Sequence, residues 1–113
     1  MNYRIILDAP FKKEVKRLAK KYPSLKKDLS ALQDELLRNP QAGVDLGGGL
    51  RKVRMAIASK GRGKSHGARV ITFTVVVAIE ESEINLLTIY DKAERESISQ
   101  REIEALLKEA DLL

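Results

Sequence analysis

Between Asp45 and Glu80 the chain carries no acid, yet it holds seven bases: Arg51, Lys52, Arg54, Lys60, Arg62, Lys64 and Arg69. Solvated surfaces usually mix both signs, so an acid-free block of this length points to a polyanion as partner or substrate. Within the block, Lys60-Gly61-Arg62-Gly63-Lys64 alternates cations with glycines. Such a loop is mobile enough to wrap a phosphate chain. Arg69 differs, because it opens a strand: a fixed backbone can hold its guanidinium in place for bidentate phosphate contact. Lys52 and Arg54 alternate with Val53 and Met55 and so share one face of the preceding strand.

The chemistry open to these residues is narrow. Cys is absent, which removes thiolate nucleophiles, thiolate metal sites and a disulfide scaffold. His66 is the sole histidine and lies in a glycine-flanked loop with no obvious orienting acid, so neither a Ser/His/Asp set nor a multi-histidine metal site is on offer. Paired-carboxylate catalysis needs acids in the basic block. The acidic clusters lie instead in Glu80-Glu81-Ser82-Glu83 and the C-terminal tail, without a ligand pattern. Gly47-Gly48-Gly49 lacks the Lys-Ser/Thr that would make it a nucleotide loop. One reaction fits cations alone: cleavage of RNA by its own ribose 2′-hydroxyl. The substrate brings the nucleophile, and the protein must align it, neutralise charge on phosphorus and move two protons. Arginine serves the charge but stays protonated. A lysine crowded by other cations has a lowered pKa and can exchange protons. No cofactor and no metal is called for.

The elements that must position these residues follow from periodicity. Asn2–Leu7 reads as a strand. Phe11, Val15, Leu18 and Ala19 recur at helical spacing, with Asp8 as cap, Pro10 in the first turn and Pro23 as stop. Ser24 opens a second helix whose stripe is Leu25, Leu29, Leu32 and Leu36, closed by Asn39-Pro40. Residues 41–49 read as a loop. Strands follow from Leu50, over Ala68–Ile79 and over Ile84–Tyr90, with an acidic turn at 80–83. Ser99 to Glu102 forms a capping box for a last amphipathic helix. The order β-α-α-β-β-β-α implies an α+β fold, a small antiparallel sheet with a helical hairpin on one face and a C-terminal helix.

Composition bounds the rest. With 113 residues, 43% apolar and 33% charged, the chain fits one domain, 1–113, and is too apolar for disorder. Its longest apolar run, Val75–Ile79, is far short of the roughly 20 residues of a membrane span. No secretory signal is evident at the N-terminus, so a cytoplasmic protein without membrane partners is expected. Net charge is +5, with the C-terminal third acidic. Aromatics are only 4%, which argues against sequence reading by base stacking.

The runs GLRKVRM, KGRGKSHGARVITF and INLLTIYDKAE, followed by a capped terminal helix, resemble the RelE/ParE toxin superfamily, with the turn and LLTIYDK most similar to its HigB-type branch. The resemblance covers nearly the whole chain and rests on motif order and spacing. It implies a toxin of a toxin–antitoxin module that cuts mRNA on the ribosome without metal, is held inactive by a cognate antitoxin, and meets operator DNA only through that complex. By position, it implies that Arg69 stabilises the scissile phosphate. Lys60, Arg62 and Lys64 would hold the substrate and supply a proton carrier, Lys92 would act just beyond the last strand, and Arg54 would lie beneath the site. Lys52, on the face shared with Arg54, and Arg51 of the same basic block are further candidates for substrate binding, as is Tyr90. The chain departs from the pattern in ERESISQ, where many relatives carry a tyrosine; Tyr90 is the nearest aromatic. Two other readings stand beside this one: a ParE-like gyrase inhibitor, and a non-catalytic nucleic-acid-binding relative. The concentrated basic turn favours the nuclease over the first, and the missing aromatic keeps the second open.

Overall fold

A computed structural model describes all residues, 1–113. Five strands form one sheet in the order β1-β5-β4-β3-β2. They are β1 (Asn2–Leu7), β2 (Val44–Gly47), β3 (Leu50–Met55), β4 (Ala68–Ala78) and β5 (Glu81–Asp91). Helices α1 (Ala9–Lys21) and α2 (Leu25–Arg38) lie between β1 and β2, and α3 (Gln100–Glu109) follows β5. The helical hairpin carries the chain from one sheet edge to the other. The meander β2-β3-β4-β5 then returns and brings β5 beside β1, in parallel. The sheet is therefore mixed, not purely antiparallel as expected.

Two further expectations change. Residues 41–49 are not all loop: Val44–Gly47 pairs with β3 as an edge strand, exposed throughout. A strand that buries neither face leaves no alternation to read. The acidic segment 80–83 is not a turn either. The reversal occurs at Ile79-Glu80, Glu80 taking φ 62°, and Glu81 already pairs with Asn2 and Ala78. Acidic side chains on an exposed hairpin end obscured the start of β5.

Packing divides the sheet into two faces. On one, Phe11 and Leu18 of α1 and the four leucines of α2 close over Val53, Met55, Ala68, Val70, Ile84, Leu86 and Ile89. On the other, Ile103 and Leu107 of α3 cover Leu50, Ile71 and Leu87. Each such side chain contributes about 1.5–3 kcal/mol on full burial, which is what holds the short helices on the sheet. A bulge at Leu87, opposite Ile71/Thr72, shifts the alternation of β5, so that Leu86 and Ile89, three residues apart, both face the hairpin while Leu87 faces α3. The Ser99/Glu102 capping box forms as predicted. The other two caps do not. Asp8 makes no side-chain cap bond, and Ser24 instead donates to Asp28 (2.7 Å) and meets Ser59 (2.9 Å), tying α2 to the loop after β3.

Candidate functional site

The half of the second face that α3 leaves open carries a row across three strands. Arg54 of β3 pairs in register with Arg69 of β4, which pairs with Tyr90 of β5. Arg54 is exposed and Lys52 half-buried, on the face opposite Val53 and Met55. Arg69 is only 5% exposed. Its Nη1 donates to the carbonyls of Lys64 (3.1 Å) and Ala68 (3.2 Å), and its Nη2 to that of Ser65 (3.3 Å). No carboxylate pairs with it. Its Nε–H and one hydrogen on Nη2 have no protein partner. Burial lowers the pKa of its guanidinium, and Arg54 alongside lowers it further. A desolvated cation beside a second cation, with open donors, gains most from an anion.

Tyr90 completes the row. It is buried and its hydroxyl has no hydrogen-bond partner. Burial raises its pKa, with Arg69 and Arg95 acting the other way. The Arg95 guanidinium lies 5.5 Å from the ring centroid. Its Nη2 also donates to both carboxylate oxygens of Glu102 on α3 (2.8 and 2.9 Å), and its Nε to the Ser97 carbonyl. Sequence reasoning missed Arg95, because its stacking partner lies across the β5–α3 connection and only the fold brings them together.

A family model for the RelE toxin of the RelE / RelB toxin–antitoxin system matches residues 5–113, which takes in all three helices and every motif above. The chain belongs to the RelE toxin family. In this RelE-family toxin the basic turn does not gather around Arg69. Lys60 turns to the hairpin side, where its Nζ lies 2.5 Å from Asp91 Oδ1 and donates to the His66 carbonyl (2.9 Å). The Tyr22 hydroxyl donates to Asp91 Oδ2 (2.5 Å) and the Ala93 amide to Oδ1 (3.0 Å). Burial alone would raise the Asp91 pKa, but the bonds from Lys60, Tyr22 and Ala93 together hold it below the usual carboxylate range. Lys60 is thus an anchor, paired because Asp91, one residue after Tyr90, points to the opposite face. Lys64 reaches toward Glu35 of α2 (3.4 Å) with an exposed side chain. Arg51 alternates with Lys52, so it turns from the row and ties the carbonyls of Ala42 and Gly43 (3.1 Å each). Arg62, His66 and Lys92 line an open hollow of about 310 Å³ at the loop edge. Lys92 there donates to the Glu96 carbonyl (2.9 Å).

The loop between β3 and β4 is seated by one glycine. A Cβ on Gly67 would lie 2.0 Å from the Met55 carbonyl oxygen, so only glycine lets the loop end press onto the end of β3. That contact, with Lys60–Asp91 and the Asp28 and Ser24 bonds to the Ala58 and Ser59 amides, sets the Lys64 and Ser65 carbonyls against Arg69. No helix is long and apolar enough to cross a membrane.

Proposed function

We propose that this toxin is a ribosome-dependent mRNA endonuclease of the HigB type, using the ribose 2′-hydroxyl as nucleophile and no metal. The observation that carries the reading is Arg69: a buried guanidinium with open donors, no acid partner and Arg54 beside it. Charge on the non-bridging oxygens grows as the 2′-oxygen bonds phosphorus, and Arg69 meets it with donors already in place. The P–O5′ bond then breaks, the 5′-oxygen takes a proton, and a 2′,3′-cyclic phosphate remains. Arg54, Lys52 and Arg62 hold the backbone on either side. Lys64 and Lys92 are the proposed proton carriers. Lys64 is held by one exposed ion pair, which is weak enough to swing free. Lys60 and Arg51 serve by positioning the loop and the edge strand. Tyr90, buried beneath Arg95, supports the row beside Arg69 and offers no exposed hydroxyl to a substrate. A cognate antitoxin holds the toxin inactive in the cytoplasm, and operator DNA is met through that complex.

The test uses purified ribosomes programmed with a defined mRNA. Primer extension should find cuts that require ribosomes and persist in a chelator under conditions that leave ribosomes intact. The 5′ fragments should resist ligation at their 3′ ends until the cyclic phosphate is opened and the resulting phosphate removed. Intact mRNA together with inhibited gyrase supercoiling would replace this reading with the gyrase one; intact mRNA and no gyrase effect would favour the non-catalytic one.

A further inference from the structure

One exposed hydroxyl lies against the Arg69 guanidinium. Ser65 sits in the short turn Lys64–His66, and residues 61–66 are all exposed. Its hydroxyl meets only the neighbouring His66 ring, with Oγ 3.0 Å from Nδ1. Its carbonyl accepts from Arg69 Nη2 (3.3 Å), which sets this serine beside the guanidinium whose remaining donors are open. Other serines are differently engaged: Ser24 and Ser59 bond each other, Ser82 is buried and Ser99 caps α3. Arg62 stands three residues before Ser65 and Lys64 one before it, with no acid from 46 to 79. Bases just ahead of an exposed serine suit the acidic cleft of a base-directed protein kinase, where charge pattern sets substrate choice. The backbone of the turn is closed by one bond, from the Gly67 amide to the Lys64 carbonyl (3.3 Å), so it opens locally and not with the whole fold.

We propose that Ser65 is a phosphorylation site for a base-directed Ser/Thr kinase, and that its phosphate fills the Arg69 site and shuts the toxin off. The second half rests on the preceding functional reading. In the transfer, a base of the kinase takes the Ser65 hydroxyl proton and Oγ bonds the γ-phosphorus of ATP. The bond from that phosphorus to the β–γ bridging oxygen breaks, and ADP leaves. The product carries a charge of about −1.5 to −2 and three strong acceptor oxygens. Rotation about the Ser65 Cα–Cβ bond turns Oγ from His66 to Arg69, where no carboxylate competes and Arg54 stands in register alongside. Phosphates opposite arginine clusters form charge-assisted bonds that fix a loop in place. The tethered phosphate presents an effective concentration on the order of millimolar, against which a diffusing RNA phosphate must compete.

The experiment uses the full chain with phosphoserine encoded at position 65. In a ³¹P titration its second pKa should fall below the ordinary value of about 6, and Arg69→Met should return it there. Cleavage on programmed ribosomes should drop by roughly tenfold or more, and phosphatase treatment of the same preparation should restore it, which guards against misfolding. Incubating the unmodified chain with cyclic-AMP-dependent kinase and ATP should place phosphate on Ser65 by mass spectrometry, and none at that position in Ser65→Ala. An ordinary phosphoserine pKa, or cleavage equal with and without the phosphate, would overturn the capture by Arg69. Phosphate found only on other serines would overturn the site. Should the wild-type chain never cut mRNA, the functional reading falls, while the ³¹P titration still reports whether the phosphate sits on Arg69.

Discussion

Replacing Arg69 by Met separates an anion site from a structural strut, because the two roles predict opposite balances of stability and activity. The substitution removes three hydrogen bonds to carbonyls, each worth about 1.5–3 kcal/mol when the donor is charged. It also removes a buried cation without a counter-ion, whose desolvation costs several kcal/mol, and its repulsion from Arg54. Lys64 and Ser65 are exposed, so water can replace Arg69 at their carbonyls. The terms nearly cancel, and stability should change by less than about 2 kcal/mol, a shift in melting temperature of under ~10 °C. Activity should behave otherwise. Loss of a preorganised donor to a developing oxyanion costs a factor of about 10²–10³ in rate. Lysine at this position should recover only part, since it cannot fork. Cleavage would be measured by primer extension on programmed ribosomes and stability by calorimetry on the same preparation. Cleavage within tenfold of wild type would refute the role assigned to Arg69. A fall in melting temperature beyond ~15 °C would show that the guanidinium is a strut and that any lost activity reflects unfolding.

The other substitutions probe the surroundings of that site. Tyr90→Phe deletes a buried hydroxyl that has no partner, so calorimetry should find equal or higher stability, by up to about 1–2 kcal/mol, with cleavage close to wild type because no exposed group is lost. Asp91→Asn breaks the Lys60 ion pair and should lower stability by about 3 kcal/mol, with faster hydrogen exchange in residues 58–67. The Asp91 pKa is depressed in the fold, so its stabilisation is present above the unfolded carboxylate value and is lost as pH falls through the folded one. Melting temperature should therefore drop on acidification below about pH 4, and the Asn variant should show a flatter drop. Gly67→Ala forces a Cβ against the Met55 carbonyl and should destabilise by more than about 2 kcal/mol. Gly61→Ala, in open space with φ 67°, should cost only about 1 kcal/mol; equal costs at the two glycines would contradict the packing argument.

Much of this geometry is legible in the residues, and the illegible part has one physical origin. Strong periodic signals, such as the α2 leucine stripe and the alternation through Val53, Met55 and Ile57, report burial and therefore the faces of helices and strands. They place Lys52, Arg54 and Arg69 correctly relative to the core. They fail where an element buries nothing, as in β2, and where polar residues begin a strand, as at Glu81. The side-chain destination of loop residues is harder still. Lys60, Arg62 and Lys64 share one motif and the same spacing, yet they end differently: Lys60 on Asp91 and Lys64 on Glu35, two distant parts of the chain, and Arg62 in solvent.

Tyr90 and Asp91 explain how one short loop serves two faces of a sheet. Adjacent residues on a strand point to opposite sides. Tyr90 therefore meets Arg69 and Arg95 on the open face, while Asp91 meets Tyr22 and Lys60 under the helical hairpin. The loop from Ala58 to Gly67 bridges the end of the sheet between them. Its first turn is held by Lys60 on the hairpin side, and its second turn offers the Lys64 and Ser65 carbonyls to Arg69 on the other. An anion drawing Arg69 outward would pull on those carbonyls, and the Lys60–Asp91 bond would resist through the same short backbone. Weakening the hairpin-side anchor should thus loosen Arg69 without touching it. In the Asp91→Asn variant the Arg69 side-chain NMR signals should broaden or shift while Tyr90 stays packed; unchanged Arg69 signals would mean that the two faces are held independently.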